Sequence, residues 1–411
     1  MEIKKKVTNI RKCRISGGKL INVFHLGKQP LANSFIKKYN SKESKFDLST
    51  SYCSKSFLFQ LNQTVNKNLL FDKYLWVSGT GEITIKYADL FCKRIINKVD
   101  LDYDDLILEI ASNDGTFLSP FIKKGFNKVI GIDPAKNIAK IANNKKIKTL
   151  NKYWNFENSK KIKKKYGYAK VVIARNVIPH VSNLIDFIKG IEYIMDENGI
   201  GAIEFHDASH IQSELQYDSI YHEHLCYFSL KSISYLLNKF YLYPFDLDES
   251  PINAGNKLIF FSKKKKNISK NLSKARRNEV IYNVNSLNSW KLFAKKSIEH
   301  KEKIISLIHN FQNKKIIGFG SSARSQTLLN FCGINYNYID AIIDNNKLKH
   351  GLYTPGTGIP IVNFKKGMLL KPDLIIILAW NFKNEILNLC KSVGFKGQFI
   401  IPFPNSPYLS K

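Results

Sequence analysis

The feature that most constrains the fold of this chain is the stretch after residue 100, where short apolar runs alternate with amphipathic ones. Leu106–Ile110 reads as a buried strand, residues 111–115 as a tight turn and 116–124 as a helix. Residues 128–132 form the next expected strand, with Asp133 at its carboxyl end and a helix over 134–142. A strand over 170–174, a helix over 184–195 and a strand over 201–205 continue the alternation. Strands joined by helices run in one direction and need cover on both faces. The expectation is a parallel sheet between helical layers, with ligands at the carboxyl ends of its strands.

The pattern returns near the C-terminus. Residues 263–313 are polar and highly charged, and from Lys270 they read as one or two linking helices. Lys315-Ile316-Ile317-Gly318-Phe319-Gly320 is again a strand entering a glycine turn, followed by a helix over 321–330 and strands over 339–343 and 374–378. A second α/β unit is expected, with no aligned internal repeat joining it to the first. Ahead of both, residues 11–63 look irregular and turn-rich. Cys13-x-x-Ser16 and Cys53-x-x-Ser56 have the spacing of a four-thiolate zinc site in which serine replaces half the thiolates, and His25 is the only nearby imidazole. Serine oxygen is a poor zinc ligand, so no metal is expected and packing should hold this small domain. The domains are set at 1–75, 76–262 and 263–411.

Two segments carry chemistry. Glu109-Ile110-Ala111-Ser112-Asn113-Asp114-Gly115 lacks the G-x-G-x-x-G glycines that let a backbone approach a pyrophosphate. An acidic strand end and a small-residue turn suit a ligand without phosphates, such as S-adenosylmethionine, with Glu109, Ala111, Asn113, Asp114 and Gly115 around it. Asp133 stands where a carboxylate can accept both ribose hydroxyls; a nicotinamide dinucleotide is the alternative. Tyr221-His222-Glu223-His224 crowds two imidazoles, a carboxylate and a phenol together, a set able to move protons near neutral pH. A histidine in such a segment can equally be structural, and His222 could merely pack. His206 and His210 are read as lining a surface loop.

Several long matches in order resemble the nucleotide-diphosphate-sugar C-methyltransferases of deoxysugar biosynthesis. They are residues 26–35, the turn 109–115, Asn176-Val177-Ile178-Pro179-His180, residues 221–228, Gly318-Phe319-Gly320, Asp344-Asn345-Asn346, residues 353–361, and Ala379-Trp380-Asn381-Phe382. The resemblance runs from Cys13 to Pro404. It implies an α/β protein with a central Rossmann-like S-adenosylmethionine methyltransferase domain, a second, C-terminal Rossmann-like α/β domain, and a small irregular N-terminal domain. It implies methylation of a sugar carbon next to a keto group, with His224 as the base, Tyr221 and Glu223 in the same pocket, and Asn176 among the cofactor residues.

Under this resemblance His180 donates to the enolate oxygen or orients the sugar; the competing role is a cap on the helix starting near Asn183. Tyr74 and Trp76 match a loop over the sugar, or else simply pack. Gly318, Gly320, Ser321 and Arg324 could hold the diphosphate through a helix start, with a core-packing glycine pair as the competing reading. Trp380 and Asn381 complete the substrate set. The chain departs from the family at residues 252–257, Ile-Asn-Ala-Gly-Asn-Lys, where a His-Gly-Gly segment followed by arginine is usual. An O- or N-methyltransferase on a sugar, or a non-catalytic nucleotide-sugar or nucleic-acid binder, remain the alternatives.

The formal net charge of +31 invites a nucleic-acid reading, but the lysines lie in short runs along the whole length with no single basic face. Nucleic-acid binding is not expected; a small anionic nucleotide sugar fits the same charge. The six scattered cysteines read as reduced thiols. No apolar run reaches spanning length and the N-terminus lacks a signal-peptide pattern, so a cytoplasmic protein without membrane insertion is expected, and it is taken as a monomer.

Overall fold

The computed structural model of the protein describes residues 6–39, 42–66, 69–70, 77–251 and 255–411. Part of the N-terminal region read as irregular is a sheet. β1 (Val7–Asn9) pairs with β5 (Gln63–Val65), while β2 (Ile21–Gln29), β3 (Phe46–Cys53) and β4 (Leu58–Leu61) form an antiparallel set. All four residues of β4 are buried, so the apolar/polar alternation of a half-exposed strand is missing there.

The central sheet contains β6 (Leu106–Ile110), β7 (Val129–Asp133), β8 (Thr149–Asn151), β9 (Ala169–Arg175) and β10 (Met195–His206). A short β11 (Cys226–Tyr227) then leaves this domain and joins the N-terminal sheet beside β4, pairing Cys226 with Gln60 and Tyr227 with Phe59. The hairpin β12 (Tyr243–Glu249) and β13 (Asn256–Ser262) closes the central sheet, whose order is β12-β13-β10-β9-β6-β7-β8. β13 is antiparallel to both neighbours, and the other six strands run in one direction. β6 and β7 are buried along their whole length, which explains their largely apolar spelling, broken by Glu109 and Asp133 at the carboxyl ends. The chain builds outward from β6 to β8 and then returns to place β9 on the other side of β6. That reversal opens a crevice at the carboxyl ends of β6 and β9.

The C-terminal unit holds β14 (Ile316–Phe319), β15 (Ala341–Ile343), β16 (Ile361–Val362), β17 (Leu374–Ile377), β18 (Gln398–Ile401) and β19 (Tyr408–Ser410), in the order β16-β15-β14-β17-β18-β19. Only β19 runs antiparallel among these strands. Helices Lys270–Ile281 and Leu287–His309 make the link, and Ser269 and Ser286 cap them with their side chains. The link also binds the N-terminal sheet. Phe59 stacks on Trp290 with centroids 3.8 Å apart and planes 5° from parallel, a pair worth about 0.5–1.5 kcal/mol beyond its burial. One hydrophobic cluster runs through all three regions, from Leu26 through Ile203 to Ile316.

Candidate active site

The turn after β6 is strained in a way a ligand site requires. Ala111, Asn113 and Gly115 have φ values of 54°, 51° and 78°, and across the crevice Asn176, just after β9, has 51°. Left-handed backbone at a non-glycine residue costs on the order of 1–2 kcal/mol and persists where the surroundings enforce it. Here the enforcement comes from Asp133, whose Oδ2 accepts the Asn113 amide at 3.0 Å and whose Oδ1 accepts the Ala135 amide at 2.9 Å. Burial raises the Asp133 pKa above its ordinary value against the pull of these two amides.

Glu109 Oε2 and Ser112 Oγ are buried without a hydrogen-bond partner among the described residues. Burial, aided by Asp114, Glu204 and Asp133 and opposed by Arg175, pushes Glu109 up to about 8. Orphaned polar atoms at a crevice mark the place of a missing partner. These carboxylates fit S-adenosylmethionine, for which Glu109 would face the ammonium group and Asp133 the ribose hydroxyls. Asp114 instead supports the turn from behind. Its Oδ2 accepts from Lys145 Nζ at 2.6 Å and its Oδ1 from Thr116 Oγ1 at 2.7 Å. Asn176 Oδ1 accepts from Asn256 Nδ2 at 2.7 Å, so the altered 252–257 segment braces the second wall. Residues 252–254 themselves lie outside the described residues, as do Tyr74 and Trp76.

Tyr221, Glu223, His224 and His180 come together beside this second wall. His180 ends the 3-10 turn Ile178–His180 that follows Asn176, and the Leu225 amide bonds to Pro179 O at 2.7 Å. The rings of His180 and His224 lie 4.9 Å apart, edge to face. Asn183, not His180, caps the following helix.

His224 Nδ1 lies 3.0 Å from the Ser219 carbonyl and Nε2 lies 2.7 Å from the Tyr221 hydroxyl. A carbonyl only accepts, so Nδ1 carries the proton and Nε2 receives the phenol proton in its hydrogen bond. Burial first, then His180 and His206, hold the His224 pKa well below its usual value, so the ring is neutral at pH 7. A neutral imidazole of defined tautomer, joined to a phenol, is one proton-accepting unit. By the same reasoning His180 Nδ1 donates to Glu223 O at 2.8 Å, and burial lowers its pKa to about 4. Its other nitrogen is therefore an acceptor.

Glu223 is 7% exposed, and burial pushes its pKa up to about 7 while Asn33 Nδ2, donating at 2.7 Å to Oε1, opposes the shift. Asn33 lies in the 26–35 motif, so its place near the site had a sequence signal although its role did not. His222 turns into the N-terminal domain, 3.3 Å from the Phe46 carbonyl, and packs. His206 departs from the sequence reading. β10 runs on to it, so it sits at the crevice edge rather than in a surface loop, with Nε2 buried and unpartnered among the described residues. Burial, then Arg324, lowers its pKa to about 3.

The C-terminal residues expected at the substrate are engaged with the protein. A Cβ on Gly318 would come within 2.7 Å of Leu378 Cδ1, and one on Gly320 would collide with the Ala379 methyl, which is the packing alternative for this glycine pair. The Ser321 amide is taken by Asp344 Oδ2 at 2.8 Å and its hydroxyl by Gln326 Nε2 at 3.0 Å. Arg324 and the Trp380 indole N–H both hold Asp218. Asn381 lines a surface cavity of about 310 Å³ with Trp380, Phe382, Lys383 and Glu214.

The N-terminal tetrad also converges. Cys13 Sγ is 3.0 Å from Ser56 Oγ, and Ser16 Oγ is 3.4 Å from Cys53 Sγ. Two thiols with two hydroxyls do not make a zinc donor set, and among the described residues no group of three or more His, Cys, Asp or Glu could hold a metal. No helix among them is long and apolar enough to cross a membrane.

Comparison with known proteins gives three family matches in succession. They are a family described as a putative zinc binding domain over residues 13–71, a methyltransferase domain over 85–242, and a C-methyltransferase C-terminal domain over 251–404. The C-methyltransferase NovU of Streptomyces niveus is 25% identical over 412 residues, covering 98% of each chain. Among solved structures, a S-adenosylmethionine-dependent methyltransferase from Anabaena variabilis is 14% identical, with 48% of this chain and 91% of that chain covered at a TM-score of 0.37. One from Clostridium acetobutylicum is 12% identical, covering 44% and 92% at 0.36. A parallel sheet matched as a methyltransferase domain, with an orphaned carboxylate at its switch point, is that of a S-adenosylmethionine-dependent methyltransferase. With the flanking domains matched in order and a relative aligned end to end, the chain is similar along its length to a C-methyltransferase.

Proposed function

We propose that this protein methylates the carbon next to the keto group of a nucleotide-diphosphate sugar, with the Tyr221–His224 pair as its base. The observation that carries the reading is the half-buried pair itself, whose imidazole is neutral and held in one tautomer beside the loop after β9. O- or N-methylation needs no carbon base. A C–H is acidic enough to lose its proton only when the charge spreads into an enolate, so a base must face the carbon and a donor the oxygen. Bound S-adenosylmethionine supplies the electrophilic methyl group.

Glu223 suits the donor role. With a pKa of about 7 it is substantially protonated at neutral pH, and a protonated carboxyl in an apolar site can hydrogen-bond an enolate oxygen. The nucleotide sugar as substrate class is supported by the resemblance over residues 26–35, 221–228 and 353–361. The test is incubation with labelled cofactor and a panel of keto sugar nucleotides, locating the label by mass spectrometry and NMR. His224→Asn should abolish carbon methylation and leave cofactor affinity within about twofold. Activity of wild type should fall as pH rises above about 7, and Glu223→Gln, which keeps a donor, should lose that fall. Labelled oxygen or nitrogen in the product, or an active His224→Asn, sinks the reading.

A further inference from the structure

Residues 216–220 form the bed beneath His224, and the C-terminal unit grips that bed at several points. Arg324, at the start of the helix Ala323–Cys332, donates through Nε to Asp218 Oδ2 at 3.0 Å and through Nη2 to Asp218 Oδ1 at 2.7 Å. Its Nη2 also reaches Gln216 Oε1 at 3.1 Å. The Trp380 indole N–H donates to Asp218 Oδ2 at 2.9 Å, and its ring lies 4.8 Å from the guanidinium carbon. Thr327 Oγ1 donates to the Ile220 carbonyl at 3.2 Å.

The neighbouring Tyr217 is gripped as well. His300 Nε2 donates to the Pro402 carbonyl at 2.7 Å, so its Nδ1 accepts the Tyr217 hydroxyl at 2.9 Å. Asp218 is 1% exposed, and a carboxylate buried so deeply is stable only with its oxygens satisfied. Between Asp218 and Ile220 stands Ser219, whose carbonyl lies 3.0 Å from His224 Nδ1.

We infer that Asp218, Arg324 and Trp380 are positioning residues that aim the Ser219 carbonyl at His224 and so keep the imidazole in its Nδ1–H form, with Nε2 as the accepting nitrogen. The second α/β unit is thereby part of the catalytic apparatus, whatever it binds. The inference rests on His224 acting as base. An imidazole without a fixed acceptor at Nδ1 exchanges between tautomers, and the Nε2–H form presents a proton where the reaction needs a lone pair. The guanidinium fork matches a carboxylate at two points and resists rotation, which a lysine ammonium cannot do.

The experiment reads the tautomer directly. In 15N-histidine-labelled protein the His224 signals, assigned by their loss in His224→Asn, should show the Nδ1–H form. Arg324→Lys and Asp218→Asn should shift His224 to a mixture and lower kcat by about 10- to 100-fold, with KM and cofactor affinity within about twofold. Trp380→Phe, which keeps an aromatic ring and removes one donor, should show a smaller shift and loss.

A folded Arg324→Lys with unchanged tautomer and kcat overturns the inference. So does a fall in kcat or a rise in KM with the tautomer intact, which would assign Arg324 to the substrate. Should the charge variants fail to fold, Trp380→Phe and Thr327→Val give the same readout. The tautomer measurement needs no substrate, so failure of the methyl-transfer reading shows separately, as wild-type protein with the expected tautomer and no product.

Discussion

The two α/β units of this chain present the same strand, turn and helix at corresponding places, yet they treat their turns in opposite ways. After β6 the backbone is left-handed at Ala111, Asn113 and Gly115, and buried oxygens of Glu109 and Ser112 lack partners among the described residues. After β14 the glycines are filled against Leu378 and Ala379, the Ser321 amide is bonded to Asp344, and Ser322 and Ser325 complete a capping box. One turn keeps unsatisfied polar atoms and left-handed non-glycine backbone; in the other the Ser321 amide and hydroxyl are both bonded, and the unpartnered buried oxygen nearby belongs to Gln326, a turn further along the helix. A glycine turn at a strand end is therefore a weak sign of a ligand, and the state of its donors and acceptors is a stronger one.

The largest expected effect that would sharpen this contrast is in the closed turn. Gly320 has a φ of 96° and no room for a methyl beside Ala379, so Gly320→Ala should lose ~2–4 kcal/mol of stability in chemical denaturation. Cofactor affinity of the protein that still folds should hold. A large loss of cofactor affinity at full stability would mean the two turns had been assigned the wrong way round.

Next comes the open turn. Glu109→Gln should weaken S-adenosylmethionine binding about tenfold by calorimetry, close to 1.4 kcal/mol. The pH dependence follows from the raised pKa. Free Glu109 gains a proton below about 8, a cationic ligand favours the ionised form, and affinity should therefore rise with pH to about 8 and then level off. Stability of the ligand-free protein should run the other way. Between the ordinary carboxylate pKa and about 8 the folded state binds the extra proton, so this group lowers stability as pH rises through that window. Both slopes should flatten in Glu109→Gln. A pH-independent affinity in wild type would remove Glu109 from the cofactor site.

The smallest effect is expected at Ser321. Its amide and hydroxyl both have protein partners, so Ser321→Ala should change affinity for nucleoside diphosphates by less than about threefold. A tenfold loss would reopen the second turn as a phosphate site and erase the contrast.

Much of this fold was legible before any coordinates. Strands covered on both faces are spelled as continuous apolar runs, and β6, β9, β14 and β17 fell close to where their spelling put them. The N-terminal sheet was not legible. The register of β2 against β3 shifts twice, β4 is buried on both faces, and its fourth strand comes from Cys226–Tyr227 in a different part of the chain. The helix Phe156–Tyr166 was missed because only Ser159 and Ile162 of its eleven residues are buried, too few to show a period.

The site divides in the same way. The sequence by itself determined the chemical inventory: an acidic strand end, a small-residue turn, a second carboxylate at Asp133 and the Tyr-His-Glu-His cluster, because each of these is read from a few consecutive residues. Only the tertiary structure decided what each does. The Asn33 contact to Glu223 spans 190 residues and the Arg324 contact to Asp218 spans 106. Burial then moves Glu109 and Glu223 up and His180 and His224 down. A proton's place depends on the solvent removed and the dipoles gathered around it, and both are set by parts of the chain far away in sequence.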